Sequence, residues 1–238
     1  MKPVIGITLD WKESGSFADR PFYAMEQYYF EAITAAGGIP IGIPSYEEHD
    51  IQDYIKRIDG LLSPGGNFAY PASWYIGDDA KSSYGHSPRA QFDIELIKSV
   101  LDIRKPVLGI CAGMQMIGGS FGCKITHDVH EYLDTDINHL KGKPIDEFAY
   151  TVDIKENTLL HSIINTDLLP VNSSHQEAIV DVPDNVIINA ISIDKCIQGI
   201  EIKDYPFALG VQWHPEIFIN SAEETGHRKI FEAFLEAC

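Results

Sequence analysis

Apolar residues in the first half of the chain alternate between short continuous runs and helical spacing. Val4 to Leu9, rich in β-branched residues, reads as a strand. Tyr23 to Ala36 carries helical spacing and stops at Gly37-Gly38, as a helix C-terminus does. Ile39 to Pro44 predicts a strand, Glu47 to Arg57 a helix, and Ile58 to Leu62 a strand ending in Ser63-Pro64-Gly65-Gly66. Asn67 to Pro88 has no clear periodicity but holds Tyr70, Trp74, Tyr75 and Tyr84, the composition of a functional loop beside a strand end. Arg89 to Arg104 predicts a helix with Phe92, Leu96, Val100 and Ile103 on one stripe. Pro106 to Ile110 then reads as a buried strand and Ala112 to Ser120 as a helix.

The second half changes character. After a polar stretch from His127 to Glu147 come strand-like runs at Tyr150–Ile154, Asp167–Val171, Ala178–Val182, Val186–Ser192, Ile197–Ile202 and Phe207–Trp213. A helix over Ala222–Ala237 closes the chain. Alternating strands and helices imply an α/β fold with a mainly parallel central sheet covered by helices, and the later strands add an antiparallel extension. No repeat or low-complexity linker divides residues 1–238, so a single domain is expected.

Composition narrows the function classes. With 45% hydrophobic and 22% charged residues the chain reads as a globular protein. A formal net charge of −17 repels phosphate backbones and anionic membranes, which argues against nucleic acid or membrane partners. The start, Met1 to Asp10, is too short an apolar run for a signal-peptide core, and no stretch is long enough for a membrane span. The four cysteines, at 111, 123, 196 and 238, form no CxxC pair, and reduced thiols in a cytoplasm are the expectation.

One cysteine stands apart. Val107-Leu108-Gly109-Ile110-Cys111-Ala112-Gly113-Met114-Gln115 is an apolar strand, a G-x-C-x-G turn and a helix start, the thiol counterpart of a G-x-S-x-G nucleophile elbow. Side chains two residues either side of the nucleophile would collide in such a turn, and Gly109 and Gly113 remove them. Cys111 then sits at the positive end of a helix dipole. The other three cysteines have no such setting.

A base is needed, since an unassisted thiol, pKa about 8.5, is only a few per cent ionised at neutral pH. Near the far end, Pro206-Phe207-Ala208-Leu209-Gly210-Val211-Gln212-Trp213-His214-Pro215-Glu216 runs a strand into His-Pro-Glu. Residues two apart on an extended segment share a side, so Glu216 can hold one imidazole nitrogen of His214 while the other takes the thiol proton. His127 and His130 are three apart, but nothing at ligand spacing completes a metal site. His49, His86, His139, His161 and His227 read as surface or loop residues.

Ser63 to Gly66, Gly109 to Gln115 and Gly210 to Glu216, in this order and separation, resemble the signature blocks of class I glutamine amidotransferases. Ala35 to Pro40, Arg89, Val171-Asn172-Ser173-Ser174-His175 and Pro206 to Leu209 make the chain most similar to the γ-glutamyl-γ-aminobutyrate hydrolase group, peptidase family C26. The resemblance implies a flavodoxin-like three-layer sandwich and a Cys111-His214-Glu216 triad. It implies cleavage of γ-glutamyl amides of small molecules through a γ-glutamyl thioester, without a cofactor. It further implies an oxyanion hole on the backbone N–H groups of Gly66 and Ala112, with Gln115, Asn172, Ser173 and His175 holding the glutamyl end. The leaving amine is expected against the aromatic loop from Asn67 to Tyr84.

Three positions depart from the group's pattern: Ala112 where Arg usually follows the nucleophile, Gln176 where a second His is common, and Phe68 where an acid is common. They bear on substrate preference more than on the triad. The resemblance is compatible with a homodimer. A glutaminase subunit serving a separate synthetase, or a non-catalytic ligand-binding relative of the same fold, remain as alternatives.

Overall fold

The structure, a computed structural model, describes residues 1–15, 17–44, 50–67, 69–77, 88–140, 144–220 and 226–238. In chain order the first half comprises β1 (Val4–Lys12), β2 (Phe22–Ala24), α1 (Gln27–Ala35), β3 (Ile39–Pro44), α2 (Ile51–Ile55), β4 (Gly60–Ser63), α3 (Pro88–Asp102), β5 (Val107–Ile110) and α4 (Ala112–Ser120). The second half comprises β6 (Lys124–Thr126), α5 (Val129–Leu133), β7 (Tyr150–Ile154), α6 (Leu159–Ile164), β8 (Leu168–Val171), β9 (Ala178–Asp181), β10 (Val186–Ser192), β11 (Ile197–Ile202), β12 (Ala208–Val211) and α7 (His227–Glu236).

Five parallel strands in the order β3-β1-β4-β5-β12 form the centre of a ten-stranded sheet. Beyond β12 the sheet continues antiparallel through β11, β10, β7 and β8, and β2 pairs antiparallel with the far end of β1. The mainly parallel sheet with an antiparallel extension is therefore the observed architecture. Because helices cover both faces, neighbouring residues of each central strand enter different cores. Leu61, Val107 and Ala208 join α2, α3 and α4, while Leu62, Leu108 and Leu209 join α1, α6 and α7. That two-sided burial is why these strands read as continuous apolar runs.

Several local expectations are corrected. The helix expected from Tyr23 starts only at Gln27, because Phe22 to Ala24 pair with Asp10 to Lys12 as a short edge strand. The polar stretch after His127 contains α5, whose first N–H groups are capped by Asp128. A further helix, α6, was not anticipated. Thr158 caps its start, Asn165 ends it in the left-handed conformation, and the buried Glu201 carboxylate on β11 accepts from Leu159 and Leu160. Phe68, Tyr84, His49 and His86, and parts of the helices expected at Glu47–Arg57 and Ala222–Ala237, lie outside the described residues.

Arg89, in the first turn of α3, is fully buried. Its Nε donates to Asp93 at 2.8 Å and its Nη1 to Asp10 at 2.7 Å. The fork also donates to the Pro64 and Gly65 carbonyls, both at 2.9 Å, so it pins the loop after β4. The two carboxylates respond differently. Burial raises the Asp93 carboxyl despite Arg89, whereas at the more open Asp10 the burial cost is outweighed by Arg89 and Lys12 and the carboxyl is held low. Replacing Arg89 with Met strands the Asp93 charge in the core. We expect Arg89→Met to lose roughly 3–5 kcal/mol in urea unfolding, and a loss below about 1 kcal/mol would mean the cation is not needed there.

Candidate active site

The carboxyl ends of β1, β4, β5 and β12 meet around one open cavity of about 760 Å³, where ligands of open α/β sheets are commonly bound. Asp10, Trp11 and Lys12 come from the end of β1, Gly65 and Gly66 from the loop after β4, Cys111 from the end of β5, and His214 from beyond β12. Tyr29 from α1 and Ser174 complete this part of the wall.

Cys111 is the residue between β5 and α4, with φ 53° and ψ −108°. A non-glycine residue at positive φ costs about 1–3 kcal/mol, so the surrounding packing must enforce it. A Cβ on Gly113 would fall on the Ser63 carbonyl, and one on Gly109 would sit 2.6 Å from the carbonyl of Gly113. The two glycines thus let α4 close onto β4 and β5. Ala112, as the first residue of α4, has no intrahelical acceptor for its N–H.

β12 runs parallel beside β5 with Val211 opposite Ile110, and the Cys111 N–H donates to the Val211 carbonyl at 2.8 Å. The chain therefore delivers His214 next to the sulfur, and the imidazole and the Cys111 side chain are hydrogen-bonded. His214 Nδ1 lies 2.7 Å from Oε1 of the fully buried Glu216, leaving Nε2 for the sulfur. Burial by itself lowers the basicity of His214. The Glu216 charge outweighs it, helped by hydrogen bonds to Cys111 and Glu216, and the imidazole is raised well above its ordinary value of 6.5. The three residues expected to act together are in contact. This arrangement can take a proton from sulfur and hold it on nitrogen.

The residues expected to hold the glutamyl end are placed differently from one another. Gln115 and His175 share a small recess of about 10 Å³ with Cys111, Gly66, Ser174 and Glu177. Gln115 Nε2 donates to the Glu177 carbonyl at 2.7 Å and to Gln212 at 3.0 Å, and its Oε1 accepts from Tyr70 at 2.7 Å. His175 donates Nδ1–H to the Glu177 carbonyl at 3.1 Å, and burial followed by the nearby His139 lowers its pKa to about 3.

Asn172 and Ser173 are buried and turned into the protein rather than lining this cavity. Asn172 Oδ1 accepts from the His214 N–H at 2.8 Å while its Nδ2 donates to the His214 carbonyl at 3.2 Å, bracketing the backbone of the base. Ser173 donates to the His139 carbonyl at 2.6 Å. Ser174, not singled out from sequence, is the member of this segment that faces the cavity. Gln176, a departure from the group's pattern, donates to Asp128 at 3.1 Å.

The described part of the aromatic loop packs inward. Tyr70 stacks on Trp74 at 5.7 Å, Trp74 lies against Gly119, and Tyr75 donates to the buried Glu177 carboxylate. The leaving-group side of the cavity is instead built by Asp10 to Lys12 and Ala24 to Glu26.

Two histidines expected at the surface are buried. His227 opens α7 at 0% exposure and His139 is at 2%. His139 lies near His175 and Cys196 in a group with metal-ligand chemistry. Hydrogen-bond directions oppose that use. Ser173 donates to a carbonyl and Tyr150 donates to Ser173 at 3.0 Å, so His139 Nδ1 must donate to Tyr150, while Nε2 meets the Asp194 carboxylate at 2.8 Å. Both ring nitrogens then act as donors and present no lone pair to a cation.

A three-layer α/β sandwich carrying a strained cysteine at a strand-to-helix turn and a His-x-Glu pair on the adjacent strand defines a class I glutamine amidotransferase-like protein. Comparison with known proteins agrees. The peptidase C26 family model matches residues 3–216. A Rickettsia prowazekii protein named for its likeness to glutamine amidotransferases is 30% identical, with 99% of this chain and 98% of that protein covered. The γ-glutamyl-γ-aminobutyrate hydrolase of Escherichia coli K12 is 28% identical, with 99% and 93% covered. A solved Thermoplasma acidophilum structure, described as the glutaminase-type component of a GMP synthase, superposes with a TM-score of 0.63 at 20% identity, covering 100% of this chain and 94% of that one, and supports the fold. This chain belongs to the peptidase C26 family and is a glutamine amidotransferase-like hydrolase. No helix among the described residues is long and apolar enough to cross a membrane.

The geometry makes two measurements decisive. Iodoacetamide should label Cys111 first and already below pH 8, because Cys123 and Cys196 are buried and burial drives both thiols up, Cys123 to about 12. Uniform slow labelling of all thiols would count against an activated sulfur. In Glu216→Gln the largest effect raising His214 is gone and burial dominates. The imidazole titration followed by NMR should therefore move to lower pH, and an unmoved midpoint would remove Glu216 from this role.

Proposed function

We propose that the chain hydrolyses γ-glutamyl amide bonds of a small cytoplasmic molecule, releasing glutamate and an amine. Cys111, His214 and Glu216 act as the triad. The Cys111 proton passes to His214 Nε2 and the sulfur attacks the γ-carbonyl carbon, forming a C–S bond while the carbonyl electrons move to oxygen. The backbone N–H groups of Gly66 and Ala112 receive that oxyanion, in keeping with the free helix-start donor and the Gly-Gly turn. As the carbonyl re-forms, the C–N bond breaks and the departing nitrogen takes the proton from His214. Water then attacks the thioester carbonyl, His214 takes a proton from it, and the C–S bond breaks to give glutamate and restore the sulfur. Glu216 keeps the imidazole oriented and balances its charge throughout. The chemistry uses no metal or organic cofactor.

The observation that carries this reading is a cysteine sulfur hydrogen-bonded to an imidazole that is bound in turn by a buried carboxylate, beside a cavity open to a small molecule. The glutamyl end is assigned to the Gln115, Ser174 and His175 side, where the recess is narrow. The amine end is assigned to the wall formed by Trp11, Lys12 and Glu26. A γ-glutamyl-γ-aminobutyrate-like compound fits the division, since Lys12 stands on the amine side to meet a carboxylate.

The test is a panel of γ-glutamyl amides, including glutamine and γ-glutamyl-γ-aminobutyrate, assayed for glutamate release. The wild type should turn over at least one compound, and Cys111→Ala should lose more than about 10⁴-fold in kcat. Equal rates would remove Cys111 from the reaction. Release from glutamine alone, and only with an added synthetase, would assign the chain to ammonia supply. Binding without turnover would make it a non-catalytic relative.

A further inference from the structure

Two residues outside the three catalytic side chains converge on the loop that would receive the oxyanion. Gly65 is gripped at both ends: its N–H donates to the Tyr29 hydroxyl at 3.0 Å and its carbonyl accepts from Arg89 at 2.9 Å. A trans peptide places the carbonyl oxygen of one residue opposite the N–H of the next. Arg89, by drawing the Gly65 oxygen towards α3, therefore turns the Gly66 N–H the other way, away from Arg89. Gly66 itself lines the cavity with Cys111.

Tyr29 adds a link that Arg89 lacks. It stands in the first turn of α1, in the buried stripe with Ala32 and Ile33, and its hydroxyl reaches past the core to the cavity. That oxygen lies 3.5 Å from His214 Nδ1, whose proton goes to Glu216. A Cβ on Gly65 would sit 2.8 Å from His214 Cε1, 3.0 Å from the Tyr29 oxygen and 3.5 Å from the Cys111 Cβ. The base, the loop, the phenol and the nucleophile are thus packed around one point, and only glycine fits at 65. Burial, reinforced by Glu216 and Cys111, drives the phenol well above its ordinary value, so the hydroxyl stays neutral and acts through its dipole.

We propose that Tyr29 is a positioning residue that ties the oxyanion loop to the catalytic base, its oxygen accepting the Gly65 N–H while facing the Nδ1 side of His214. The inference rests on the hydrolase reading above and deepens it. The phenol oxygen beside Nδ1–H favours the protonated imidazole, and the Gly65 bond holds the Gly66 donor at the angle the oxyanion needs. Both effects act on the transition state more than on substrate binding.

Tyr29→Phe keeps the ring in the core, and Gly65 is open enough for water to satisfy its N–H. On the compound the wild type turns over fastest, Tyr29→Phe should lower kcat about 10- to 100-fold, less than deletion of an oxyanion donor, with KM changed less than threefold. The His214 titration followed by NMR should move to lower pH, by half a unit or more. The kcat loss should also shrink in a Glu216→Gln background, because both residues act through the same imidazole. Unchanged kcat with an unmoved midpoint overturns the proposal. So does a kcat loss that tracks a fall in Tm while the midpoint stays put, since that is a packing effect only.

Fluorinated tyrosines at position 29 keep the shape and weaken the oxygen as an acceptor. They should lower kcat progressively even if Tyr29→Phe unfolds, and a flat series counts against the proposal. The midpoint readout needs no substrate. A wild type inactive on the whole panel therefore refutes the hydrolase reading, whereas an unmoved midpoint refutes the role of Tyr29.

Discussion

The hydrogen bond from the Cys111 N–H to the Val211 carbonyl, 2.8 Å long, is the join on which the rest depends. It extends the β5–β12 ladder by one step beyond Ile110, just where the chain must turn into α4. With parallel strands in this register, both chains leave the sheet at the same edge. The sulfur stops there at positive φ, and just beyond Trp213 the His-Pro-Glu turn brings the carboxylate under the imidazole. A shift of one residue in this pairing would turn every side chain of β12 to the opposite core and carry His214 off the sulfur.

Around that join the molecule uses its buried polar groups to hold backbone. Arg89 fixes the loop after β4, Asn172 brackets His214, and Gln115 ties α4 to the segment after β8. None of these side chains needs to touch a reacting atom to matter, because a nucleophile at a strained φ keeps its aim only if its neighbours cannot relax. The charges follow the same logic. A deeply buried Glu216 makes His214 a stronger base, while the neighbouring His175, buried without a carboxylate partner, is pushed the other way. Two imidazoles near one cavity are thereby given opposite protonation preferences by their surroundings.

The membership of the chain in the peptidase C26 family sets this geometry among hydrolases, and the departures from the group's pattern acquire positions. Ala112 opens α4 with its N–H still at the helix start. Gln176 points to the cap of α5 instead of the nucleophile. The walls that differ from expectation lie on the amine side, where the β1–β2 hairpin and not the aromatic loop faces the opening.

Much of this was legible in the residue pattern. Continuous apolar runs marked the two-sided strands, because burial on both faces leaves no polar alternation. The glycines flanking Cys111 marked a tight strand-to-helix turn, because that clash is local. The reach of Glu216 to His214 followed from extended-chain geometry over two residues. What tertiary structure alone decided was everything carried by long-range pairing. Tyr23 joined a strand because β1 offered it a ladder. His139 and His227 became buried, Asn172 turned to the base instead of the cavity, and Tyr29, one apolar-stripe residue among several in its helix, came to face the imidazole. Periodicity and backbone sterics are written within a few neighbouring residues. Burial and hydrogen-bond partners depend on which distant segment arrives alongside, and no local pattern records that.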